Sequence, residues 1–152
     1  MSKHVATISW RRGGQPFTDT KYSRVHMWIF DGGATVPASS SPHNVPEPMS
    51  VAANVDPEEA YVAALSSCHM LWFLAIAAKR GFMVDTYRDA AEGMLDDNEY
   101  GKPAMTHVVL RPGISWGGSK RPSDAEITAM HDEAHDNCFI ANSVKTEVTV
   151  AA

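Results

Sequence analysis

The stretch from Asp56 to Gly81, DPEEAYVAALSSCHMLWFLAIAAKRG, constrains this chain more than any other. Asp56 stands where a helix needs an N-cap acceptor, and Pro57 suits the first helical position. Glu58 and Glu59 put negative charge at the positive end of the helix dipole. Asp56 and Glu59 also have capping-box spacing, with Asp in the place usual for Ser or Thr. Lys79 and Arg80 supply a basic last turn, and Gly81 a left-handed cap. Between these ends, Ala60 to Ala78 is apolar except for Ser66, Ser67 and His69. A helix with no charged stripe for solvent has to be covered on both sides. In its middle lies Cys68, one of only two cysteines.

That apolar run approaches the length of a membrane span. Its many alanines, the Ser-Ser-Cys-His interruption and its single occurrence favour a buried soluble helix, with no membrane partner expected. At 152 residues the chain is read as one domain, 1–152, long enough to bury a core. A net charge of −5, from 13 basic and 18 acidic residues with no basic block, argues against nucleic acid as a partner. The first residues carry no apolar core of signal-peptide length, and two cysteines do not make a secreted disulfide scaffold. The expected compartment is cytoplasmic.

Around the helix, Val5–Trp10 and Val25–Phe30 read as strands, separated by an irregular polar segment from Gln15 to Ser23. Ala34–Asn54, rich in proline and serine, reads as an ordered but irregular excursion leading to the helix. Met83–Leu95 and Met105–Trp116 read as a hairpin, with Asn98 and Gly101 in the turn. Ser123 and Glu126 form a second capping box, opening a helix with Ile127, Met130, Ala134 and Cys138 along one side. Ser143–Val150 alternates as a final strand. The order β-β-loop-α-β-β-α-β predicts an α+β fold in which strands flank a long central buried helix. Only two helices are available to cover the sheets, and the first is apolar all round. A dimer with a large apolar interface follows.

Cys68 and Cys138 lie 70 residues apart. They read either as two small buried hydrophobes or as a redox pair, one attacking and one resolving. Cys68 stands far past the first helical turn, so a reactive thiolate there needs a nearby cation. Arg24, Arg11, Arg12 and His69 are the candidates. His131 and His135, with Cys138 three residues on, have a spacing compatible with a metal. However, Asp132 stands where the metalloprotease pattern has Glu, and the pair reads as a polar helix face. No Gly-x-Ser-x-Gly elbow and no Gly-rich phosphate loop occur, so neither a serine hydrolase nor a nucleotide cofactor is indicated.

Two segments carry a family likeness. Asp56-Pro57-Glu58-Glu59 followed by Ala63-Ala64-Leu65-Ser66-Ser67-Cys68-His69-Met70 resembles the first-cysteine motif of the OsmC/Ohr family, the osmotically induced and organic-hydroperoxide-resistance proteins. Ala134-His135-Asp136-Asn137-Cys138, leading into Asn142-Ser143-Val144-Lys145 and a last strand, is similar to the second-cysteine motif. Phe139 after Cys138, His69 after Cys68 and the long Pro/Ser loop depart from the best-known members and mark a divergent subgroup.

The resemblance implies an intertwined α/β homodimer with active sites at the subunit interface. It implies a thiol-dependent peroxidase acting on organic hydroperoxides and hydrogen peroxide, with no metal or organic cofactor. Cys68 would be the peroxidatic cysteine and Cys138 the resolving one. Arg24, placed just before the second strand, would be the catalytic arginine, with Arg12 as the runner-up, and Glu58 the carboxylate that orients it. A Cys68 sulfenate would condense with Cys138 to a disulfide, reduced in turn by an external thiol, in this family often a lipoylated protein. The alternative is a binding or stress protein of the same fold with inert, buried cysteines. Helix geometry adds one expectation. Ten residues separate Glu58 from Cys68, about 15 Å of continuous helix. The Glu58 serving a given Cys68 should therefore come from the partner subunit.

Overall fold

Val, Thr, Ile and Trp, all suited to a pleated surface, form the first antiparallel sheet. In the computed structural model, which describes residues 1–151, its strands are β1 (Ala6–Ser9), β2 (His26–Phe30) and β3 (Thr35–Ala38), in that spatial order. Ile8 stands opposite Trp28, and Met27 opposite Pro37. β3 falls inside the excursion read from sequence as irregular. Proline argues against a central strand but is tolerated in an outer one, and Pro37 occupies such a place. The rest of the excursion is ordered by buried serines in place of an apolar core. Ser39 Oγ accepts the Val51 N–H at 2.9 Å, and Ser50 Oγ donates to the Val45 carbonyl at 2.6 Å. The sheet leaves apolar side chains bare, with Ile8 61% exposed and Met27, Ile29 and Phe30 also exposed.

α1 runs unbroken from Pro57 to Lys79. Asp56 Oδ1 accepts the Glu59 N–H at 2.8 Å, as the capping pattern requires. Gly81 closes the helix at φ 81°, and Phe82 N–H reaches back to the Ala77 carbonyl. By length and composition α1 could cross a membrane. Within the chain it buries one face only, through Leu65, His69, Phe73, Ile76 and Ala77. Ala64, Ser67, Leu71, Ala75 and Ala78 form the opposite face and are exposed.

By its contacts the chain divides into two units, Met1–Ala60 and the remainder from Tyr61. The second unit has two core clusters. Phe73, Ile76 and Ala77 of α1 pack with Phe82, Met130 and Ala134, flanked by Tyr87, Ile114 and Trp116. Leu65 packs with Val108 and Leu110, flanked by Val62, Ile140, Val148 and Val150.

Each arm of the predicted hairpin proves to be two strands. β4 (Met83–Asp89) pairs antiparallel with β7 (Pro112–Gly117), and β5 (Glu92–Asp97) with β6 (Pro103–Leu110). The break is polar: Asp89 Oδ1 accepts the Arg111 N–H at 2.6 Å, and Asp89 Oδ2 accepts the Ser66 hydroxyl. Pro112 has no N–H to carry the ladder through.

α2 spans Asp124–Asn137 and opens with the complete Ser123–Glu126 capping box. Cys138 is its extended C-cap residue and not part of the helix. A short 3₁₀ turn, Ala141–Ser143, takes up the start of the predicted last strand. β8 is therefore only Glu147–Val150, and it lies parallel to β6. The α+β class read from the sequence is the one observed.

Gly93 in β5 marks a close approach between β5, β6 and α1. A Cβ there would sit 2.5 Å from Val62 Cγ2 of α1 and 2.6 Å from Met105 Cε. Gly93→Ala should therefore destabilise the protein by about 1–3 kcal/mol through overpacking. A lowered denaturant midpoint at unchanged m-value would show it, and an unaltered midpoint would refute this account of the site.

Candidate active site

α1 and the C-cap of α2 each carry one thiol, near enough for Cys68 to act on the thiol of Cys138. Both cysteines are free. Cys138 is 1% exposed, whereas Cys68 is half-buried. The Cys138 thiol is raised from its ordinary pKa, first by burial and then by its interaction with the Cys68 thiol. The Ala141 N–H, 3.4 Å from Cys138 Sγ, pulls weakly the other way. Cys138 therefore keeps its proton at neutral pH, and Cys68 is the more accessible sulfur. Trp72, one turn beyond Cys68, meets Phe139 edge-on at 5.5 Å between ring centres, and Phe139 is 70% exposed. Apolar rings thus stand beside both thiols.

His69 turns into the core. Its Nε2 lies 2.9 Å from His131 Nδ1, and the two rings stack at 5.2 Å. Phe73 stacks on His131 at 4.3 Å. His69 is pushed down to about 4 by burial first and then by His131 and His135. His131 is lowered too, chiefly by burial. A neutral, inward-facing His69 cannot be the cation for a Cys68 thiolate, which removes one sequence candidate. His131 is committed to His69, and among the described residues no three His, Cys, Asp or Glu side chains are grouped to hold a metal. Nearby, the Tyr87 hydroxyl is buried without a partner and its pKa is raised by burial, then by Asp89.

The other three candidates, Arg11, Arg12 and Arg24, lie in the first unit. The Arg24 guanidinium sits 3.7 Å over the Tyr22 ring, donates to the Tyr22 carbonyl and approaches Met49 Sδ at 3.9 Å. Tyr22 is held in turn by Phe17, stacked at 4.6 Å, and by Trp10, edge-on at 5.6 Å. Arg24 is thus preorganised by an aromatic cluster, while the exposed Arg12 closes a local turn onto the Gln15 carbonyl. Glu58 Oε1 accepts from Asn44 at 3.4 Å, and its Oε2 is buried without a partner. Among the described residues Arg24 makes no ion pair with Glu58. α1 is unbroken between Glu58 and Cys68, so the separation of about 15 Å along its axis stands.

Sequence reasoning did not find the His69–His131 bond, the Trp72–Phe139 contact or the Asn44 support of Glu58. The only available signal for the first was an imidazole interrupting an apolar run.

A family model described as OsmC-like protein matches residues 51–152. An OsmC-like protein of unknown function from Vibrio cholerae is 55% identical, with 99% of each chain covered and a TM-score of 0.98. An organic hydroperoxide resistance protein OsmC from Legionella pneumophila is 15% identical, covering 100% of this chain and 98% of its own, with a TM-score of 0.69. The organic hydroperoxide resistance protein OhrB of Bacillus subtilis is 15% identical, with 96% of each chain covered and a TM-score of 0.62. No curated protein matches the sequence.

The buried histidine predicts acid sensitivity. His69 stays neutral in the folded protein down to about pH 4, whereas unfolded histidine takes its proton near 6.5. Below pH 6.5 the unfolded state binds more protons, so stability falls until about pH 4 and then levels. The loss across that window should be on the order of 3 kcal/mol. Denaturant titrations across this range should show it, and His69→Gln, which cannot titrate, should remove the larger part.

Proposed function

This chain belongs to the OsmC-like protein family and has the mixed α+β fold of OsmC and Ohr proteins, and on that premise we propose that it is a thiol-dependent peroxidase for organic hydroperoxides. One observation carries the reading: two thiols distant in sequence face each other, one accessible and one buried and protonated. That asymmetry suits a nucleophile and a resolving thiol. The Cys68 thiolate attacks one peroxide oxygen, forming an S–O bond and breaking O–O. The leaving alkoxide takes a proton and departs as alcohol. The Cys138 thiol then attacks the Cys68 sulfenic sulfur. An S–S bond forms, S–O breaks, and hydroxide leaves with the Cys138 proton as water. An external dithiol, such as a lipoylated protein, reduces the disulfide. Trp72 and Phe139 favour apolar hydroperoxides over hydrogen peroxide, in keeping with the hydroperoxide-resistance names of the Legionella and Bacillus relatives.

Arg24 and Glu58 complete the site in this reading. Arg24 stabilises the thiolate and hydrogen-bonds the peroxide, and Glu58 orients Arg24. The bare Oε2 of Glu58 is a buried acceptor awaiting such a donor. We assign them to a site shared between two chains of a homodimer. The exposed apolar face of α1 and the bare apolar side chains of the β1–β2–β3 sheet supply surface for that association.

Stopped-flow addition of cumene hydroperoxide should oxidise two thiols per wild-type chain. Cys68→Ser should lose all peroxide consumption, and Cys138→Ser should over-oxidise at Cys68, gaining the mass of two oxygens. Absence of peroxide-dependent thiol loss in the wild type would favour a binding protein with inert cysteines.

The shared site has its own test. Glu58→Ala and Cys68→Ser chains, each inactive alone, are unfolded together and refolded. Half the dimers are then mixed, each with one intact shared site, so roughly a quarter of wild-type activity should return. No recovery would place Glu58 and Cys68 of one site in the same chain.

A further inference from the structure

We propose that His69 and His131 are positioning residues that key α1 against α2, so that Cys68 and Cys138 meet within disulfide-forming reach. This rests on the thiol-pair reading above. The remaining contact between the two helices is apolar, with Phe73, Ile76 and Ala77 packed on Met130 and Ala134. Such contacts are non-directional, and neighbouring ridge-and-groove matches lie one turn apart, about 5.4 Å. A disulfide is less forgiving, since its sulfurs must close to about 2.0 Å with a defined torsion.

The His69 Nε2 to His131 Nδ1 hydrogen bond supplies the missing direction. Among the described residues it is the buried side-chain link between α1 and α2, since the Arg80–Glu133 ion pair lies at the surface. Its placement matches the thiols. His69 follows Cys68 directly, and Cys138 lies seven residues, close to two full turns, beyond His131. Fixing His131 against His69 therefore fixes the depth at which the C-cap of α2 presents its sulfur. The pair is retained at a cost, because His69 is 1% exposed and its Nδ1 has no partner. An apolar pair would avoid that cost but add no direction.

The test measures the disulfide itself, without peroxide. Folded protein is equilibrated with reduced and oxidised glutathione, and the Cys68–Cys138 disulfide is quantified by alkylation and mass spectrometry. His131→Phe keeps the ring stacked on Phe73 but loses the bond. It should lower the equilibrium constant for disulfide formation at least tenfold. His131→Asn places an amide atom where Nδ1 stood and should stay within threefold of wild type. From the other side, His69→Met and His69→Gln should repeat the contrast, which covers the case where His131→Phe does not fold. Gly93→Ala, destabilised elsewhere, should leave the constant within threefold. Equal losses in bond-keeping and bond-losing variants, or no loss in either bond-losing variant, would overturn the proposal. So would a wild type that forms no disulfide. A wild type that forms the disulfide but consumes no peroxide defeats only the peroxidase reading.

Discussion

The second unit depends on the burial of one face of α1. Leu65 and Phe73 are almost fully excluded from water, and each anchors one of the two apolar clusters. Sheets, α2 and the C-terminal strand all pack against that face, so the helix acts as the template on which distant segments converge. Burying a Leu or Phe side chain contributes roughly 1.5–3 kcal/mol. That is sizeable beside a net domain stability of only about 5–15 kcal/mol. Cys68 sits at the margin of this face. Half-buried, it is held by the packing and still accessible to a small molecule.

Polar groups inside this unit define direction where apolar packing does not. Asp89 accepts both the Ser66 hydroxyl and the Arg111 N–H, and so fixes the point where both arms of the sheet divide. The His69–His131 bond does the same between the helices. The same burial that keeps these imidazoles neutral keeps Cys138 protonated. Burial is thus the first cause of the shift at each of these three groups, lowering the imidazoles and raising the thiol.

Local rules carried the sequence reading wherever the signal was local. The caps at Asp56, Gly81, Ser123 and Glu126, the turn at Asn98 and Gly101, and the buried alternation of Val108 and Leu110 follow from neighbouring residues. The reading failed where long-range pairing decided. Thr35–Ala38 becomes a strand because β2 offers it a partner, and Pro37 hides that from any propensity argument. The long hairpin splits because Asp89 captures the Arg111 N–H and Pro112 cannot continue the ladder. Cys138 leaves its helix because α2 ends at Asn137 and the chain turns extended.

The sequence by itself determined the elements: two capped helices, strands from β-branched runs, an apolar helix too greasy to stand alone, and a cysteine in or beside each helix. These depend on backbone periodicity and on capping within a few residues. Only the tertiary structure decided that Cys68 and Cys138 face each other, that Cys138 is the buried and protonated one, and that His69 points inward, neutral, to His131. Those facts depend on which helix face is buried and against what. Desolvation and through-space contact between residues far apart in the chain set them, and no local pattern encodes either.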